Sequence, residues 1–313
     1  MPGRSPEWCD AFLTALVNRL SVDLSTAENP RCLSRHTLNR LLNSLESDTF
    51  RLRFSHRAIY EWLLHIGLLA PIPVEYGGTK PTLRTTFFRL DISTRRDENL
   101  SPLELLQAYD AEGVICYFSA IAFHSLSSQP PVHHHIGIPS SATREQRPPT
   151  PRKSASSTPR ESNPLGTRLF NYAGLPYYRT SREARLVPGV QLRYAGPSSV
   201  IRMTTLEQTL LDTLHRPLSC GGPAVVFEAW ERGLSKVNED RISDYLLAME
   251  HPPAVQRLGY MLADLDHKPG ARLSGVIEGY LSRLDPADQS AYQQLFAGMK
   301  YRNLKTPWLV YGP

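Results

Sequence analysis

SHRAIYEWLLHIGLLAPIPVEYGGTKPTLRTTFFRLD, residues 55–91, changes its apolar period partway along. In the first half, Ile59, Trp62, Leu63 and Ile66 recur at helical spacing. Ser55 stands where a helix cap belongs, and Gly67 is placed to end the helix. From Leu68 onward two β-rich runs flank Gly77-Gly78-Thr79-Lys80-Pro81, the composition of a hairpin. Two more helices are expected upstream. Ser5-Pro6-Glu7 opens the first, whose face carries Trp8, Phe12, Ala15, Leu16 and Leu20. Ser34 caps the second, which carries Leu38, Leu41, Leu42 and Leu45. Three helices followed by a hairpin is the order of a winged helix-turn-helix, assigned to residues 1–92.

STRRDENLSP (93–102) is a polar break. The stretch 140–165 is rich in Ser, Pro and Arg, has almost nothing to bury, and is expected to be a disordered insert. Between these, PLELLQAY (102–109) and FSAIAFHSL (118–126) read as helical and VHHHIGI (132–138) as extended. LVPGVQLRYAG (186–196) reads as extended too. From Thr204 the chain reads as almost all helix. Pro223 to Gly233 is one segment, Asn238 caps the next, and Val255, Leu258, Leu262 and Leu265 mark a third. Shorter helices are expected near 274–284 and 286–297, with a closing strand in LKTPWLVYG. The expected fold class is therefore α+β: an N-terminal winged helix-turn-helix, then a larger mixed α/β C-terminal domain over 93–313 that is mostly helical after residue 204.

The longest apolar run, VICYFSAIAF (114–123), is far short of the ~18–20 residues of a membrane span. The start, MPGRSPEWCD, reads as no signal peptide. Cys9, Cys32, Cys116 and Cys220 lie far apart, which suits a reducing compartment; a cytoplasmic protein with no membrane partner is expected. The net charge is +5, but the stretch 143–205 holds eleven Arg or Lys against three Glu and is +8 by itself. Such a stripe attracts a polyanion, most simply nucleic acid, although a solvated linker with ordinary surface arginines would read the same. Its candidates for a basic surface are Arg168, Arg179, Arg182, Arg185 and Arg193.

The acidic residues of TTLEQTLLDTLHRP (204–217) suggest an enzyme, for example a metal-dependent nuclease using Glu207 and Asp212. Helix geometry argues otherwise. Five residues turn through ~500°, leaving the two carboxylates about 140° apart, unable to converge on one atom. Thr204 and Glu207 fit a capping box, Asp212 and Arg216 an i,i+4 pair, and Leu206, Leu210 and Leu214 a buried stripe. The triplet His133-His134-His135 would put two imidazoles on one face of a strand, with His124 as a further ligand, but no Asp, Glu or Cys nearby completes a metal set. Asp264 and Asp266 have the D-x-D spacing of nucleotidyl transfer but end a helix without an upstream Gly-Ser loop. No phosphate loop, nucleophile elbow or Cys/His dyad is visible. No catalytic residue, metal or cofactor is assigned.

If residues 1–92 read DNA, the helix before the hairpin offers Ser55, His56 and Arg57 at its start and Tyr60 one turn on. Arg53, Lys80 and Arg84 are candidate phosphate contacts. The preceding helix is a rival, with Arg35, His36, Asn39, Arg40 and Asn43 on its polar face.

The layout resembles the AbiEi antitoxin family, regulators of AbiE-type toxin–antitoxin and abortive-infection operons. IRMTTLEQTLLDTLHRPLSCGG (201–222), AVQRLGYMLADL (254–265), CYFSAIAFHSLSSQ (116–129) and the closing PWLVYG carry the resemblance; Ser125 stands where the family usually has glycine. The resemblance implies operator double-stranded DNA as one partner, with repression of the protein's own operon. It implies a cognate nucleotidyltransferase toxin as the other, counteracted by the C-terminal domain.

Overall fold

The computed structural model describes residues 5–23, 31–48, 55–77, 80–90, 100–140, 164–196 and 199–313. Arg53, positions 78–79 of the expected turn, positions 93–99 of the polar break and positions 141–163 of the expected insert lie outside the described residues. The fold is mixed α+β.

One compact unit comprises Met1–Ile115, Arg168–Tyr177 and Leu192–Arg202. It begins with α1 (Pro6–Asp23), β1 (Cys32–Ser34), α2 (Arg35–Asp48), α3 (His56–His65), β2 (Leu69–Ile72) and β3 (Phe87–Leu90). Phe12 and Leu16 from α1, Leu38, Leu41, Leu42 and Leu45 from α2, and Ile59 and Leu63 from α3 close one core with Leu33, Leu69, Phe88 and Leu90. These are the positions that helical periodicity selects, because only an apolar stripe removed from water offsets the entropy of ordering the helices. The expected caps form. The Ser34 hydroxyl accepts from the Thr37 amide at 3.3 Å and that of Ser55 from the Ala58 amide at 3.4 Å. Gly67 leaves α3 with φ +75°, a conformation an L side chain would strain. The hairpin pairs antiparallel with Ala70 opposite Arg89, and β1 adds to its far side with Leu33 opposite Phe88, giving the order β1-β3-β2. β1 was not expected: a three-residue strand is too short to show a period of two.

Further along come α4 (Pro102–Tyr109), β4 (Val114–Ile115), α5 (Phe118–Phe123), β5 (His134–Ser140), β6 (Thr167–Tyr172), β7 (Leu175–Glu183), β8 (Val190–Tyr194) and β9 (Val200–Thr204). In the first unit Glu104, capping α4 through the Ser101 amide at 2.8 Å, also takes the Arg31 guanidinium at 2.8 and 2.5 Å.

The second unit comprises Cys116–Thr167, Tyr178–Gln191 and Met203–Pro313. After Thr204 it contains α6 (Leu206–His215), α7 (Pro223–Gly233), α8 (Glu239–Met249), α9 (Pro252–Asp264) and α10 (Ala271–Leu281). It ends in a small sheet of β10 (Gln293–Gln294), β12 (Val310–Gly312) and β11 (Asn303–Lys305), in that order. The helix expected over 286–297 does not form; a single 3-10 turn at Gln289–Ala291 runs into β10, whose parallel pairing with β12 outweighs local helix preference. Trp230 of α7 is fully buried and donates from Nε1 to the Thr213 hydroxyl at 3.0 Å, tying α7 to α6. Among the described residues no helix is long and apolar enough to cross a membrane.

Candidate nucleic-acid interface

α3 presents Arg57, Glu61, Leu64 and His65 to solvent, with Ser55 exposed at its start and His56 half-buried. Arg57 Nε donates to Glu61 Oε1 at 2.9 Å, and both side chains are largely exposed. In high dielectric such a pair is weak and exchanges readily for a phosphate or a base edge. Tyr60 corrects the sequence expectation. It is 5% exposed, packs 6.2 Å from the Phe88 ring centroid and lies under the Arg35 guanidinium at 4.9 Å. Its α3 position, one turn beyond Arg57 but rotated toward Ile59 and Leu63, makes it part of the core edge. Burial raises the phenol above its ordinary range, with the neighbouring Arg35 pulling the other way.

On α2, His36, Arg40 and Asn43 are exposed, whereas Arg35 and Asn39 are half-buried. The first amides of this helix are already used. The Arg35 amide donates to the Thr86 carbonyl at 2.7 Å and the His36 amide to the Leu83 carbonyl at 2.9 Å. The N-terminus of α2 is thus closed by the loop before β3, while in the first turn of α3 the Ser55 hydroxyl accepts from the Ala58 amide. In that loop Lys80 is exposed, and Arg84 is tied to Asp110. Arg168 is exposed on β6 and Arg193 on β8.

In the second unit Arg179 is exposed. Arg185 is exposed but engaged by Glu183 at 2.8 Å and the Met249 carbonyl at 3.1 Å. Arg182 is no surface residue. It is 6% exposed and clamps Asp212 with Nη1–Oδ2 at 2.8 Å and Nη2–Oδ1 at 2.5 Å. Gln208 Nε2 donates to the same Oδ1 at 2.8 Å, and the Arg182 guanidinium lies 5.0 Å over the Tyr117 ring. The i,i+4 pair expected between Asp212 and Arg216 is replaced by this clamp; Arg216 donates instead to the Pro164 carbonyl at 2.8 Å. The capping box also shifts. Thr204 ends β9, Thr205 caps α6 by accepting from the Gln208 amide at 3.2 Å, and Glu207 accepts from the Asn238 amide at 3.1 Å. Glu207 thus fixes the start of α8, and Asp212 fixes β7. α6 is buried from Glu207 to Leu214 rather than along one stripe. Its polar groups satisfy neighbouring elements, as buried polar groups must.

The histidines are also hydrogen-bonded to neighbouring elements. His133 and His135 share a face, their rings 4.9 Å apart, as the strand period requires. Their Nε2 atoms sit 3.0 Å from the Ser219 carbonyl and 2.6 Å from the Leu165 carbonyl. A ring nitrogen facing a carbonyl oxygen carries the proton there, which leaves Nδ1 as the unprotonated nitrogen of each ring. His134 contacts the Ser119 hydroxyl at 3.3 Å, and His124 the Thr204 carbonyl at 2.9 Å. Burial lowers His134 to about 4 and His135 to about 3, which keeps both neutral. Among the described residues no group of three or more His, Cys, Asp or Glu is placed to hold a metal ion. Asp264 ends α9 in an ion pair with Lys305 at 2.6 Å, and Asp266 is exposed with φ +50°.

No protein-family model and no curated protein matches the chain. Among solved structures it is similar to the crystal structure of the RV2827C protein from Mycobacterium tuberculosis, with a TM-score of 0.51 and 14% identity over 98% of this chain and 92% of that one. At this identity the likeness concerns the fold.

Proposed function

We propose that the chain is a DNA-binding regulator whose N-terminal unit is a winged helix-turn-helix, with α3 in the major groove and the β2–β3 hairpin as its wing. The observation that carries this is the arrangement α1-β1-α2-α3-β2-β3 with the sheet ordered β1-β3-β2, together with a solvent-facing Arg57 in the first turn of α3. α3 is favoured over α2 because the amides of α2 are closed off by loop carbonyls. The reading set becomes Ser55, His56, Arg57 and Glu61, with Tyr60 removed. Glu61 suits a cytosine amino group, and Arg57 a guanine. Lys80 suits a phosphate.

The AbiEi resemblance adds what would be regulated: the protein's own operon, encoding a nucleotidyltransferase toxin that the C-terminal domain counteracts in the cytoplasm. A nuclease using Glu207 and Asp212 draws no support from their geometry, since both carboxylates are buried and engaged. An electrophoretic shift with DNA upstream of the gene, run with and without Mg²⁺, separates the alternatives. A retarded, intact band supports the regulator. Cleavage abolished by Glu207→Ala would establish the nuclease, and absence of any salt-dependent shift would leave a protein-interaction module.

A further inference from the structure

The hairpin loop carries an arginine that comes from far along the chain. Glu75 and Asn171 exchange backbone hydrogen bonds, amide to carbonyl at 2.9 and 2.6 Å, and so join the start of the loop to β6. Asn171 then holds the Arg168 guanidinium through its side-chain oxygen, receiving Nη2 at 2.7 Å and Nε at 3.2 Å. The guanidinium lies over Gly77. A Cβ built on that glycine would stand 3.5 Å from the Arg168 guanidinium carbon, and its φ of +51° is one that L side chains rarely adopt. Arg168 is exposed, and Lys80 is exposed in the same loop. The loop's own Arg84 is tied to Asp110. Two of the five guanidinium N–H groups are occupied by Asn171, and the planar fork is held in one orientation before any partner arrives.

We propose that Arg168, held by Asn171 beside Gly77 in the loop between β2 and β3, is a phosphate contact to duplex DNA, paired with Lys80. This rests on the DNA-binding function above and extends it to a residue outside residues 1–92. A guanidinium fixed in one orientation loses little freedom on binding and presents donors matched to phosphate oxygens. Such a contact positions the wing without reading sequence, so it should act on any duplex.

The test is a salt titration of the full chain against a random-sequence duplex, followed by fluorescence anisotropy, for wild type, Arg168→Ala, Arg168→Lys, Asn171→Ala and Arg57→Ala. Far-UV circular dichroism checks that each variant is folded. Arg168→Ala is expected to lower the slope of log affinity against log salt by ~0.9 and to weaken binding roughly tenfold at low salt. Arg168→Lys should keep the slope and recover part of the affinity, because the charge stays but the fork is lost. Asn171→Ala should weaken binding with the slope unchanged. If wild type binds with a steep slope and Arg168→Ala matches it, the Arg168 contact is wrong and the DNA-binding function stands. If wild type itself shows no salt-dependent affinity, both fall.

Discussion

Asp212→Ala should strand a buried guanidinium. In the wild type Asp212 receives two Arg182 donors, at 2.8 and 2.5 Å, and the Gln208 amide at 2.8 Å, with both charged side chains at or below 5% exposure. The substitution leaves Arg182 with the Leu186 carbonyl at 3.4 Å as a remaining hydrogen-bond partner, too long to replace a charged acceptor. Removing one member of a buried pair costs about 3–5 kcal/mol, because the other stays buried and uncompensated. Replacing both by apolar groups of similar size should undo most of that. Arg182→Met with Asp212→Leu is expected within about 2 kcal/mol of wild type, since the desolvation of both charges is no longer required. Urea unfolding followed by far-UV circular dichroism gives both figures, with tryptophan fluorescence as a second probe to which the buried Trp230, bonded to Thr213 next to Asp212, contributes. DNA affinity at low urea should be unchanged. An Asp212→Ala protein within about 1 kcal/mol of wild type would refute the structural role of this carboxylate and return it to the candidates for chemistry.

Gly259→Ala should destabilise by about 1–3 kcal/mol, because a Cβ there would lie 2.3 Å from Trp308 Cε3 and force the ring out of its site; chemical denaturation measures it. Acid should unfold the second unit early. His134, His135 and His215 are held near 4, 3 and 4 by burial, so below pH 6.5 the unfolded chain binds protons that the folded one refuses. Each then removes about 1.4 kcal/mol of stability per pH unit between pH 6.5 and its folded value, stability being fully present above 6.5; His134→Gln should flatten the measured slope by about one proton. Arg57→Ala should weaken operator binding by about 1–3 kcal/mol, while Tyr60→Phe, which removes a buried hydroxyl turned away from solvent, should leave it unchanged. Equal losses for the two in an anisotropy titration would contradict the placement of Tyr60.

Local signals were legible wherever one residue decides a local geometry. Ser34, Ser55 and Asn238 cap the helices that their positions announce, and Pro223 and Gly233 bound α7. The apolar positions of α1, α2 and α3 follow from a period of 3.6 alone. What stayed hidden depends on partners distant in sequence. Arg182 and Asp212 are thirty residues apart, and nothing in a +8 stretch distinguishes the arginine that turns inward from those that stay outside. Asp212–Arg216 had the right spacing, but a buried bidentate partner outcompetes a half-exposed i,i+4 neighbour. α6 was expected to show one apolar stripe because Gln208, Thr209 and Thr213 look solvated in sequence. Gln208 is buried because the Leu186 carbonyl accepts from its side chain, and Thr209 and Thr213 because their hydroxyls donate back to the Thr205 and Leu210 carbonyls of their own helix. The Arg57–Glu61 pair, by contrast, could have been found from its spacing on α3.

Photo-cross-linking to bromodeoxyuridine-substituted DNA from the upstream region, with the attached peptides identified by mass spectrometry, tests most directly whether the N-terminal unit is the DNA reader. Adducts on residues 55–65 and on the hairpin are expected, lost in Arg57→Ala. Adducts confined to the helices after residue 204, or none under conditions where a control repressor cross-links, would contradict it.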